Sequence, residues 1–225
     1  MNFIIGDSRV NGLKGKVPSI EFTNVWFRPG GRIKNMTDVV QDLTILHHGE
    51  ENSKSHFYVW CGICDLTERL RGEQYEEVIF DNESFKLKKP SLYREVDDLA
   101  SNIEEQYAVP IFCTIFPLSL SDWNTHRLAY CKTNSLNFID QYPQMQIDLA
   151  REVKEFNDYL THSNMNRGLA TPMIHRDFLH NRGRGRVVQR YGDLLDGCHP
   201  NDELTNRCKN SLMLAYSKNK NKLRY

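Results

Sequence analysis

Five short apolar runs divide this chain, at residues 3–5, 22–27, 57–61, 109–116 and, more weakly, 171–174. They are rich in aromatic and β-branched residues, and Gly or Pro follows most of them, which favours buried strands over pieces of helix. Between them the spacing turns helical. Met36, Val39, Val40, Leu43 and Leu46 fall on one face, as do Leu92, Val96, Leu99 and Ile103. Leu149, Val153, Phe156 and Leu160 repeat the pattern, and so do Leu204, Cys208, Leu212 and Ala215. Ser91 and Asn201 stand where helix caps belong. Strands that alternate with helices build βαβ units, whose crossovers lie on the sheet faces. The expected fold class is therefore α/β, with a mainly parallel sheet of five strands and helices on both faces. One domain is expected over residues 1–216, followed by a basic, flexible tail at 217–225. Residues 68–90 and 164–195 are polar or glycine- and arginine-rich and read as irregular excursions.

The chain has 225 residues, 40% of them apolar, enough for a sizeable core. Its 29 basic and 29 acidic residues cancel, so no global charge argues for nucleic acid or membrane. No stretch approaches the roughly 20 apolar residues that span a bilayer. The first residues lack the charged and apolar regions of a signal peptide. The cysteines at 61, 64, 113, 131, 198 and 208 lack the density of a secreted disulfide scaffold. An intracellular protein, cytoplasmic or nuclear, with reduced thiols is expected. The glycosylation patterns at Asn35 and Asn82 then read as chance matches.

Three short motifs carry chemistry. Gly6-Asp7-Ser8 follows the first apolar run, Gly62-Ile63-Cys64-Asp65-Leu66 follows the third, and Asp196-Gly197-Cys198-His199-Pro200 lies near the C-terminus. Open parallel sheets bind ligands beyond the carboxyl ends of their strands, where strand order reverses. Ser8 stands at such an end, where a nucleophile is needed. A serine hydroxyl needs a base to take its proton; His199 is the candidate, and Asp196 can fix its tautomer and stabilise the imidazolium. Each motif alone is common, and the joint occurrence in this order carries the argument. His47-His48 reads as a helix end, and no cluster has zinc or calcium ligand spacing. No metal or organic cofactor is expected.

The order and spacing of these blocks resemble the SGNH, or GDSL-type, serine esterase family from Phe3 to about Leu204. Pro29-Gly30-Gly31 stands where the second-block glycine belongs, with Gly30 the better match. Residues 109–117 are similar to the fourth strand, and 155–160 to the asparagine-bearing helix after it. The resemblance implies a flavodoxin-like three-layer sandwich and hydrolysis of a small ester or acylated substrate through an acyl-enzyme. It implies an oxyanion hole built from the Ser8 and Gly30 N–H groups and an asparagine amide of the third block. Cys64 stands at that asparagine's place, and a thiol is a weak donor. A divergent member, weak or inactive, is consistent with this departure. The occurrence of related domains in eukaryotic mobile elements makes the resemblance compatible with a viral or mobile-element source.

Two rival readings stand beside it. Trp60-Cys61-Gly62-Ile63-Cys64 resembles the motif of thioredoxin-like oxidoreductases, with Cys61 and Cys64 as the dithiol. The basic loop at 176–190, with Arg176, Arg182, Arg184, Arg186 and Arg190, suits a non-catalytic protein on the same fold that binds nucleic acid or an anionic ligand. The same loop could instead cover the site and select an anionic ester. Arg9, Asp65, Arg184 and Arg186 are the candidate substrate-binding side chains. Oligomeric state is not written in these patterns.

Overall fold

The computed structural model describes residues 1–19, 21–22, 24–46, 54–71, 76–130, 137–181 and 187–222. The elements run β1 (Asn2–Gly6), β2 (Asn24–Phe27), α1 (Met36–Leu46), β3 (His56–Trp60), α2 (Ile63–Leu66), β4 (Glu68–Arg71) and β5 (Glu76–Ile79). Then follow α3 (Asn82–Glu105), β6 (Val109–Phe112), α4 (Leu120–Tyr130), α5 (Tyr142–Asn166), α6 (Ile174–Asp177), β7 (Leu179–Asn181), β8 (Val187–Gln189) and α7 (Asp202–Lys222). The central sheet has the order β2-β1-β3-β6, and all its pairs are parallel. Because β2 and β3 flank β1 on opposite sides, strand order reverses at β1, and its carboxyl end opens onto a crevice.

Alternation sorts the strand side chains between the two faces. Phe3 and Phe57 are register partners whose rings stack at 4.9 Å. Ile4 and Tyr58 point the other way, where Phe22 lies 5.4 Å from Tyr58 and Phe22 in turn meets Tyr216 of α7. Helices α1, α3 and α5 pack side by side, and the buried residues form one continuous cluster.

Among the described residues the central sheet has four strands, not the expected five. Residues 171–173 are irregular, and α6 begins at Ile174. Side chains take over the free edge of β6. Asn164 accepts from the Phe112 N–H at 2.9 Å and donates to its carbonyl at 2.7 Å, which is one strand residue's worth of pairing. Asn157 does the same for Ile115, at 2.7 Å both ways. Pro172, with no N–H to offer a ladder, supplies only its carbonyl, to Thr114.

The described parts of the segments read as irregular are folded. Strands β4 (Glu68–Arg71) and β5 (Glu76–Ile79) pair antiparallel, and α3 starts at Asn82, not after Ser91. Asp81 caps it by accepting from the Glu83 and Ser84 N–H groups, and Pro90 sits inside the helix. The short strands β7 (Leu179–Asn181) and β8 (Val187–Gln189) also pair antiparallel. Toward the C-terminus α7 continues to Lys222, with Asn219 buried and bonded to Ala170 both ways, so residues 217–222 are helix rather than frayed tail. No described helix is long and apolar enough to cross a membrane.

Candidate active site

The first motif forms a tight turn at the end of β1. A side chain at Gly6 would overlap the Trp60 carbonyl, so only glycine lets β1 and β3 close here. Asp7 then caps a short 3-10 helix, Ser8–Leu13, by accepting from the Arg9 N–H at 3.0 Å. Arg9 folds beneath the turn. It binds both Asp7 oxygens, at 2.9 and 2.6 Å, donates to the Phe116 carbonyl at 3.1 Å, and lies over the Trp60 and Phe116 rings. Arg9 was expected to bind substrate. It is instead 2% exposed, with its donors directed at the protein, and its role is to hold the turn that presents Ser8.

The last motif folds onto this turn. Leu194 and Pro200 form a bridge, and the Leu195 N–H donates to the His199 carbonyl at 2.8 Å. Gly197 turns the loop with a positive φ of 82°, in a place where a side chain would overlap the Trp123 backbone. One Asp196 oxygen accepts from the Cys198 and His199 N–H groups at 3.0 and 2.8 Å. The other lies 2.6 Å from His199 Nδ1. A carboxylate only accepts, so Nδ1 carries the proton and Nε2 faces outward as the acceptor. Ser8 Oγ lies 2.8 Å from Nε2 and donates to it. Burial pushes the Asp196 carboxyl up, but the bonds from the His199 side chain and the two backbone N–H groups outweigh it and hold it at about 2. Asn201 follows as the cap of α7, accepting from the Leu204 N–H at 2.8 Å.

Ser8, Gly30, Cys64 and His199 line one cavity of about 390 Å³. Gly30 has a positive φ of 66° in the turn after β2. The Cys64 thiol lies at the cavity wall; burial, with Asp7 adding to it, raises it to about 12, so it stays protonated at neutral pH. Cys61 is buried, donates to the Gly31 carbonyl at 3.2 Å, and is likewise pushed up by burial. A redox dithiol needs at least one thiol with a lowered pKa, and burial shifts both of these thiols the other way.

Asp65 was expected to touch substrate. It does not line the cavity and accepts from the Ile33 N–H at 3.1 Å, which ties the third block to the second. Burial raises its carboxyl to about 7, against the pull of the Ile33 N–H and Arg32. Arg182, Arg184, Arg186, His47, His48 and Cys131 lie outside the described residues. Of the remaining basic loop, Arg190 pairs with Asp193 at 3.4 Å and does not line this cavity. Among the described residues no group of three or more His, Cys, Asp or Glu could hold a metal ion.

Several cavity residues escaped the sequence patterns. Trp123 and Arg127 come from α4, a helix with no clear apolar face, and the Trp123 ring lies 5.9 Å from that of His199. Thr67, Glu68, Arg69 and Val78 come from the β4–β5 pair and its lead-in. Asn124 of α4 pins that pair by bonding the Val78 N–H and carbonyl, both at 2.7 Å.

No family model and no curated protein matches the sequence. Solved structures match the fold. A GDSL-like lipase from Bacteroides thetaiotaomicron superimposes with a TM-score of 0.61 at 9% identity, covering 96% of this chain and 87% of that one. A member of the lipolytic protein G-D-S-L family from Veillonella parvula gives 0.55 at 14% identity, covering 96% and 97%. The OSK domain of Drosophila Oskar gives 0.54 at 13% identity, covering 94% and 86%. The chain thus has the SGNH-hydrolase fold, in a sequence far from these neighbours.

Proposed function

We propose that this chain is a serine ester hydrolase. The observation that carries the proposal is the unbroken chain of hydrogen bonds from Ser8 through His199 to Asp196, with Ser8 and His199 on the wall of one cavity. Ser8 Oγ attacks the ester carbonyl while His199 Nε2 takes its proton. Asp196 keeps Nδ1 protonated and stabilises the imidazolium. The oxyanion forms toward the Ser8 and Gly30 backbone N–H groups, with the Cys64 thiol as a third, weak donor. His199 then protonates the leaving alcohol, and a water deprotonated by the same nitrogen releases the acid from Ser8.

The test is labelling by a fluorophosphonate together with hydrolysis of p-nitrophenyl acetate. Wild type is expected to take one label and to turn over the ester, and Ser8→Ala to do neither. A label that persists in Ser8→Ala, or no label on folded wild type, contradicts the proposal. Cys64 favours one second reading, a binding protein that keeps the fold with little or no chemistry, since losing one oxyanion donor costs about a hundredfold or more in rate. That reading expects ligand capture without turnover.

A further inference from the structure

Three arginines from three separate elements line the cavity beside Ser8: Arg32 just past Gly30, Arg69 on β4 and Arg127 on α4. The carboxylate among the lining residues, Glu68, is already engaged. Lys88 and Ser84 both donate to its Oε1, and the Lys88 bond holds its carboxyl below the ordinary range. Arg69 and Arg127 are fixed in direction by Glu76, which Arg127 meets at 3.0 Å. The Arg127 guanidinium also lies 5.6 Å from the centre of the Trp123 ring, which neighbours His199. Among the described residues that line the cavity, three arginines face one carboxylate, Glu68; Glu76, outside the lining, pairs with Arg69, Arg127 and Arg71. Arg32 is exposed and lines the cavity, and Asp65 does not line it. In a concave, partly desolvated site an excess of oriented guanidinium groups favours a negative ligand far more than the same charges on an open surface.

We propose that the cavity selects esters that carry an anionic group, a carboxylate being the simplest, held by Arg32, Arg69 and Arg127 while the ester carbonyl sits at Ser8. The ester half of this statement rests on the hydrolase proposal above; the anion half rests on the arginines alone. The charge comes from residues distinct from the 176–190 loop.

Two matched substrate pairs test it. 4-Acetoxybenzoate against 4-acetoxybenzamide places the charge on the alcohol side. The p-nitrophenyl monoester of adipic acid against p-nitrophenyl hexanoate places it on the acyl side. The expected result, in at least one pair, is a KM about tenfold or more lower for the anion, the scale of one charge-assisted hydrogen bond. That preference should shrink with added salt and collapse in the Arg32→Ala/Arg69→Ala double variant. The exposed Lys34→Ala serves as control and should keep it. Equal KM values in both pairs, or a preference that survives the double variant, overturn the proposal. Calorimetry with both pairs on Ser8→Ala separates the two claims. Tighter binding of the anion, lost in the arginine variants, upholds the anion site even if wild type turns over nothing, which would overturn the hydrolase proposal alone. Equal binding within both pairs overturns the anion site whatever the turnover.

Discussion

The loop that carries Asp196 and His199 and the turn that carries Cys64 meet at one cavity but are built on different terms. In the first, the side chains proposed to be functional also shape the loop. Asp196 accepts from two backbone N–H groups of its own loop as well as from the imidazole, so the loop's shape depends on the residue that orients His199. In the second, the turn closes without Cys64. The Asp65 and Leu66 N–H groups donate to the Gly62 carbonyl, Thr67 donates to the Ile63 carbonyl, and Asp65 reaches the Ile33 N–H. The fold therefore constrains the Asp196–His199 pair and closes the third-block turn without a side-chain bond from residue 64. In the proposed hydrolase, the first region transfers protons and the second stabilises charge.

The largest effect tests the first region. Asp196→Asn should lower kcat for p-nitrophenyl acetate about 10⁴-fold, because an amide that donates to Nδ1 imposes the wrong tautomer on His199. Circular dichroism should show the fold retained, and a near-normal rate would break the account of this loop. Next is the support beneath Ser8. Arg9→Met removes one partner of a buried ion pair and should cost about 3–5 kcal/mol in urea denaturation. The double variant Asp7→Asn/Arg9→Met should recover part of that loss, since no unpaired charge then stays buried. Additive losses would contradict the pairing.

The smallest effect probes the second region through pH. The Asp65 carboxyl is raised to about 7 by burial, so the folded protein holds a proton that the unfolded chain releases near pH 4. Stability from this group is complete below the unfolded value and is lost as pH rises from about 4 through 7. Asp65→Asn keeps an acceptor for the Ile33 N–H and removes that loss. It should raise Tm by a few degrees above pH 7 and leave it almost unchanged at pH 4. A gain at pH 4 of equal size would contradict the cause assigned here.

Much of this was legible in the sequence where a signal was local. The strands β1, β2, β3 and β6 announce themselves as aromatic and β-branched runs, the blocks at Ser8, Gly30 and Cys64 follow strand ends, and the His199 block precedes a helix cap. The missing fifth strand was not legible, because its partner is a pair of side-chain amides, Asn157 and Asn164, on a helix whose apolar spacing gives no hint of them. Helix α4 was missed because it spends a buried position on Asn124, which serves the β4–β5 pair rather than the core. Arg9 misled because a charge beside a nucleophile resembles a substrate contact, and nothing local says that Asp7, two residues back, will bury it.

The central claim, a complete proton-transfer half beside a weakened charge-stabilising half, is tested most directly by kcat for p-nitrophenyl acetate in wild type, Cys64→Asn and Ser8→Ala/Cys64→Asn. The Cys64→Asn protein should gain about tenfold to a thousandfold in kcat with little change in KM, because the restored amide bonds the oxyanion mainly in the transition state. That gain should vanish in the double variant. A folded Cys64→Asn protein with an unchanged or lower rate, or a gain that survives without Ser8, would contradict the account.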